Sequence, residues 1–358
     1  MRGLFRHGQL DVSAMECEFY LMTVSAPVVG VNAALCFDLG GTSIRGGVVT
    51  KNGRVLRVLE RSSLELRDSG DFVPALSVLL LSLADGLGAH APHQVVLAVP
   101  GPVEDGRVFG LPTLVGAGTM DLNMTELARD CWPHASIWIC NDLTATGYGI
   151  AALGWRDFLV ITCGSGIGAK LFIDGRPLLG RRGRGGEIGH WRVPGSPSIA
   201  CDCGGDGHLG AIASGRGAER LVRQMAREDP AGFAGSALHA HCATPGDIDT
   251  HAIVACYRAD DPWVVDAMAV PAAAMGTCLA MVHLASGVEH FFITGGFGVA
   301  LGERFGQRIS QEAAAASWSD GTDWSNAIHI APDQTHWGLA GGVSYAEAAP
   351  ANCHMGDR

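Results

Sequence analysis

Four side chains in the stretch GEIGHWRVPGSPSIACDCGGDGHLG could hold a metal ion. His190, Cys201, Cys203 and His208 offer two nitrogens and two sulfurs, the number and donor type of a closed structural zinc site. A Cys-x-Cys pair flanked by histidines in a Gly/Pro-rich loop is a stronger signal than scattered cysteines and a weaker one than paired Cys-x-x-Cys. Four unlinked loop residues are the alternative. A filled tetrahedral set has no position for a catalytic water, so its task would be structural. A second set of residues is acidic. Asp142 ends the apolar string SIWIC beside Asn141, where a carboxylate can meet one hydroxyl as a base or cap the helix that follows. Asp38 opens the glycine turn DLGGT, which it could hydrogen-bond. Glu187 and His190 could grip vicinal hydroxyls, or Glu187 could be a surface residue before a turn.

The elements that must position these groups come in two matching sets. AALCFDLGGTSIRGGVVTKNGRVLRVLE reads as strand, glycine turn, strand, Asn-Gly turn, strand. DFLVITCGSGIGAKLFIDGRPLLG repeats that order with an Asp-Gly turn. Helical stretches such as VPALSVLLLSLADGLGAH and SGRGAERLVRQMAREDP follow each set. The layout is α/β, in two halves that echo each other. Gly164–Ala169 fits the G-x-G-x-x-A variant of the dinucleotide fingerprint. That fingerprint needs a helix directly afterwards, and a strand and hairpin follow instead. No Gly-Lys-Ser/Thr occurs, so the P-loop is absent too. What remains is a phosphate cradle made from the backbone N–H groups of hairpin turns.

Bulk properties narrow the classes. A chain of 358 residues favours two domains. A net charge of −11, with Lys51 and Lys170 the only lysines, argues against a nucleic-acid partner. The 11 cysteines sit mostly singly in apolar strings such as ALCFD and VITCG, which reads as core thiols of a cytoplasmic protein. Residues 19–37 reach membrane-spanning length but contain Pro27, Gly30 and Asn32, and their last third reads as a strand. Glu16 and Glu18 stand where a signal peptide would be basic. The expectation is a cytoplasmic protein without a membrane partner.

In order along the chain, FDLGGTSIRGG, AVPGPVEDGRV, ICNDLTATGYG, CGSGIGAKL, GGEIGH, CDCGGDGHLG and FITGGFG resemble the motifs of the ROK family of sugar kinases and repressors, over about residues 34–345. The resemblance implies a two-domain actin-like ATPase (ribonuclease H-like) fold with a cleft between duplicated domains. It implies an N-terminal extension over 1–30, a first lobe over 31–144, and a second over 145–330 that carries the zinc loop 186–210. Residues 331–358 would be a helix returning to the first lobe, and a tail. The implied reaction is phosphoryl transfer from ATP with Mg²⁺, structural Zn²⁺ and a homodimeric assembly. By resemblance Asp142 is the catalytic aspartate, Asn141, Glu187 and His190 bind the sugar with it, and Asp38 faces Mg²⁺ through water. Gly40, Gly41 and Thr42 would border the transferred phosphate, opposite Gly164, Ser165 and Gly166. Gly295 and Gly296 would let the adenosine approach the backbone, although an ordinary strand-to-helix turn reads as well there.

Two departures bear on the substrate. Relatives carry His and three Cys at the metal loop, and His208 stands here at the third Cys. They also carry a glutamate that contacts hydroxyls near the anomeric carbon, where this chain has Gly210. A site built around a hydroxyl discriminates strongly, so losing that carboxylate redirects selection. The expected acceptor is therefore the exocyclic hydroxymethyl of a C7 cyclitol of the valiolone type, or a modified sugar, admitted by the opening at the glycine. Glucose, kanosamine or an N-acetylated hexosamine is the alternative. A sugar-sensing repressor is the alternative of another class. It is disfavoured by the 37 residues before Asp38, which lack a basic stripe and two helical periods.

Overall fold

β1 (Ala33–Leu39) must be covered on both faces. Leu35, Phe37 and Leu39 enter one apolar cluster, Ala34 and Cys36 another, as the two-residue period of a strand requires. Leu76, Leu80 and Leu83 of the helix Phe72–Gly86 fill the first face. Leu339 and Val343 of the helix Trp337–Ala348 fill the second. This computed structural model describes residues 33–349, apart from 68, 70, 116–120, 181, 182, 184, 196, 319, 320 and 333–335. The extension expected over 1–30, most of the 19–37 run and the tail after 349 lie outside the described residues.

β2 (Ser43–Thr50) pairs antiparallel with β1 and with β3 (Val55–Ser62), and β4 (Gln94–Val99) pairs parallel with β1. A small antiparallel sheet of β5 (Val103–Glu104), β6 (Arg107–Phe109) and β7 (Asp121–Asn123) precedes β8 (Ser136–Asn141), which extends β4 in parallel. The order is β3-β2-β1-β4-β8. The second large sheet comprises β9 (Phe158–Cys163), β10 (Ile167–Ile173), β11 (Arg176–Pro177), β12 (Phe291–Thr294) and β13 (Ile328–Ile330). Its order is β11-β10-β9-β12-β13, antiparallel on the hairpin side and parallel on the other. The sheets thus repeat one plan, and the echo read from the sequence is real. At the Asp174-Gly175 turn both residues have positive φ (53° and 71°), as a two-residue hairpin of matching twist requires.

The helix Asp142–Ala151 joins the halves. Leu143 and Ile150 pack on Phe158, Val160 and Phe172 of the second sheet, while Ala145 packs with Leu339 and Val343 against the first. Its contact with Trp337–Ala348 is nearly backbone to backbone: a Cβ at Gly149 would stand 2.5 Å from the carbonyl of Trp337. A Cβ at Gly341 would overlap the carbonyl of Ala145. The helix Pro262–Ser286 is long and apolar enough to cross a membrane, yet it is a core helix. Val264, Met268, Met275 and Leu279 are buried in the largest cluster, with Phe305 and Ile309 of the helix Glu303–Ala316.

Candidate active site

β8 ends on Asn141 and the helix begins on Asp142. Of the two, Asn141 is the cap: its Oδ1 accepts from the N–H groups of Leu143 at 3.1 Å and Thr144 at 3.2 Å. Its Nδ2 donates to Asp142 Oδ1 at 2.8 Å and to the carbonyl of Gly101 at 3.2 Å. The capping alternative for Asp142 is thereby filled by its neighbour. The amide of Asn141, expected on a sugar hydroxyl, also makes the cap and orients Asp142. Leu143 N–H also donates to Asp142 Oδ1 at 2.8 Å, so the second carboxylate oxygen is the one that can meet an acceptor. Burial, and then the nearby charge of Asp38, push the Asp142 carboxyl up to about 7.

Asp38 lies in β1 with Arg45 Nη1 3.9 Å from its Oδ2. Burial raises its pKa and Arg45 opposes the rise. It rests beside Gly338 of the last helix, where a Cβ would stand 3.2 Å from Oδ2. The charge of Asp38 acts on Asp142, and a carboxylate such as Asp38 is the oxygen donor that suits a hard divalent cation such as Mg²⁺. The turn Gly40–Thr42 is held from behind: Ser63 Oγ and Arg67 Nη2 each donate to the carbonyl of Gly41 at 2.7 Å. In the matching turn of the second half, Gly164 and Gly166 face open space. Gly215 N–H bonds the carbonyl of Gly164 at 2.8 Å, and Arg216 Nε bonds that of Ser165 at 3.0 Å. Gly295 (φ 86°) caps the short helix Gly296–Leu301 after β12, so this pair does form a strand-to-helix turn, with open space at Gly296.

The GGEIGH segment owes its path to its glycines. A Cβ at Gly186 would stand 2.6 Å from the carbonyl of Ala169, and one at Gly189 would overlap that of Ile167. The segment is therefore laid directly along β10, and it carries Glu187 and His190 there. Gly210, in the helix Leu209–Ala213, packs on the segment in turn, since a Cβ would stand 3.1 Å from the carbonyl of Gly189. At Gly210 the first atom of a side chain would already be tight against backbone.

His190, Cys201, Cys203 and His208 are brought together, with one ligand atom of each within 4.8 Å of all the others. Cys203 Sγ is 3.3 Å from His208 Nδ1, and the two imidazoles meet edge to face. Two sulfurs and two nitrogens at that spacing fit a tetrahedral zinc ion. Asp202, between the cysteines, is tied outward to Arg220 at 2.8 Å and Arg216 at 3.2 Å. Of the nine described cysteines, all are free thiols, and six are buried.

Lys170 was not singled out by sequence reasoning. It is one of two lysines and sits inside an apolar strand, a placement that could have flagged it. It is 3% exposed and interacts electrostatically with Glu187 and Asp142.

Two sheets of one topology, bridged by a helix that presents a carboxylate at its first turn, make an actin-like ATPase fold. The chain belongs to the ROK family, whose sequence model matches residues 34–346. It is 34% identical over 281 residues to a C(7)-cyclitol 7-kinase of Streptomyces hygroscopicus subsp. limoneus, covering 75% of this chain and 80% of that one. It is 31% identical to a glucokinase of Aeropyrum pernix over 53% of this chain and 59% of that one. The fold is similar to that of a ROK family glucokinase from Streptomyces griseus in complex with glucose and AMPPNP. That match has a TM-score of 0.70 at 24% identity and covers 88% of this chain and all of the other. A ROK family transcriptional regulator matches as well in shape, with a TM-score of 0.71 at 22% identity over 88% of this chain and 78% of that one.

Proposed function

We propose that this ROK family sugar kinase transfers the γ-phosphoryl group of ATP to the exocyclic primary hydroxyl of a C7 cyclitol of the valiolone type, giving the 7-phosphate. The observation that carries the reading is Asp142. It is fixed by Asn141 through one oxygen, and its proton affinity is raised toward neutrality, which is what a base for a neutral alcohol needs. Asp142 draws the proton from the acceptor hydroxyl as the oxygen attacks phosphorus and the bond to the leaving ADP breaks. Asn141 keeps the carboxylate aimed. The turns Gly40–Thr42 and Gly164–Gly166 offer backbone N–H groups to the phosphates, with Gly295 and Gly296 at the adenosine side. Asp38 would hold Mg²⁺ through water, and the ion would neutralise phosphate charge when bound. His190, Cys201, Cys203 and His208 would hold a structural Zn²⁺ that fixes the loop bearing Glu187.

The cyclitol is favoured over glucose by two things: the glycine at position 210 where glucose-type relatives carry a carboxylate, and the 34% identity to a cyclitol kinase over most of both chains. The free thiols and the use of ATP fit a cytoplasmic enzyme, and we expect a homodimer. An ADP-release screen over hexoses, aminosugars and C7 cyclitols tests the reading. It requires the highest kcat/KM for a cyclitol, and a higher value for glucose would replace the proposed acceptor.

A further inference from the structure

Lys170 is a single positive charge in the middle of β10, closed off from water. An ammonium in that setting is costly unless its donors are used and opposite charge stands close. Both conditions are met. Nζ donates to the carbonyl of Gly185 at 3.0 Å and to that of Gly183 at 3.3 Å. The carboxylates that act on it are Glu187, two residues beyond Gly185, and Asp142, across the joint between the halves. Burial still pulls its pKa down against those two.

The segment it holds has a second fastening. Gly186 and Gly189 are laid on Ala169 and Ile167, which sets the height of the segment above the strand. Those contacts hold the backbone of the segment on β10, and Lys170, from the same strand, adds a charge that acts on both Glu187 and Asp142. One ammonium thus bonds the carbonyls of Gly183 and Gly185, upstream of Glu187, and attracts both acids. We infer that Lys170 is a positioning residue for the acceptor, holding Glu187 at a fixed place relative to Asp142 by clasping the carbonyls of Gly183 and Gly185. This rests on the proposed roles of Asp142 and Glu187.

A lysine that merely stabilised the fold would, when lost, change both substrates' parameters alike. A positioning lysine changes one side of the reaction. The experiment compares wild type, Lys170→Met, Lys170→Arg, Glu187→Gln and the Lys170→Met/Glu187→Gln double variant by ADP release, with glucose and a valiolone-type cyclitol as acceptors. Loss of the clasp should raise the acceptor KM on the order of tenfold and lower kcat, because misplaced contacts are costly. The KM for ATP should stay within about twofold. Lys170→Arg keeps the charge and should recover part of kcat, and the double variant should be no worse than the worse single, since the two residues act as one unit. The inference is overturned if Lys170→Met leaves the acceptor KM unchanged, if it raises the KM for ATP equally, or if the double variant multiplies the two single defects. Should Lys170→Met not fold, Lys170→Arg decides: a rise confined to the acceptor KM supports the clasp, and an equal change for both substrates removes it. A wild type without acceptor-dependent turnover would sink the kinase reading and the clasp with it. Turnover in wild type with unaltered Lys170 variants sinks the clasp alone.

Discussion

Arg216 pairs with Asp202 at 3.2 Å while its Nε donates to the carbonyl of Ser165 at 3.0 Å. One side chain therefore links the residue between Cys201 and Cys203 to the glycine turn proposed for phosphate. The pair is exposed and screened by solvent, so its coupling is modest. Arg216→Ala should raise the KM for ATP by up to about fivefold, the most an exposed ion pair supplies. Steady-state kinetics at varied ATP decide this, and an unchanged KM removes the link.

Asp142→Asn keeps the shape of the site and removes the base. The expected loss in kcat is ~10²–10⁴, with the acceptor KM little altered. Acceptor-dependent ADP release at wild-type rate would dismiss Asp142 from the chemistry.

The same carboxyl sets the pH dependence. Its pKa is raised to about 7, so it must lose its proton before it can act, and kcat/KM should fall as pH drops through that value. The stability term has the opposite sense. A carboxyl whose folded pKa lies above its unfolded value favours the fold most in its protonated form, and that contribution is lost as pH rises through about 7. Asp142→Asn should accordingly melt higher than wild type at pH 8, with a smaller gain at pH 5. A pH–rate profile and two melting curves check both signs.

Metal analysis of the purified protein should find one zinc per chain, lost in Cys203→Ser. Because the ion would join His190 to the 201–208 loop, chelation should lower the melting temperature and raise the acceptor KM before it affects ATP. A chain without zinc that binds acceptor normally would contradict the assignment.

Gly210→Glu introduces the carboxylate that the family resemblance leads one to expect there, beside a tight backbone. The new Cβ would press the carbonyl of Gly189, which must shift by a few tenths of an ångström. The variant should lose acceptor kcat/KM about tenfold without gaining glucose activity, since it displaces the Glu187–His190 segment. A gain for glucose would show that the segment yields freely.

The strands and turns were legible because Asn-Gly and Asp-Gly between apolar runs leave few alternatives, and the metal quartet because its donors cluster in sequence. At Gly210 the sequence shows only an absent side chain, and the backbone carbonyl of Gly189 beside it was not legible. Asn141 and Asp142 show the limit of one-residue resolution, since either could cap and only geometry gives the role to Asn141. The partners of Lys170 were silent because they are carbonyls 13 and 15 residues further on, and carbonyls leave no mark in a sequence.

The helix Trp337–Ala348 sets Gly338 against the Asp38 carboxylate and lies almost touching the backbone of the helix that Asp142 begins. Strand β1 leaves the ribosome well before the floor beneath its aspartate is made. A nascent chain halted before residue 337 should therefore hold both phosphate turns and the zinc quartet yet show no turnover. Synthesis itself would keep the enzyme silent until the closing helix docks.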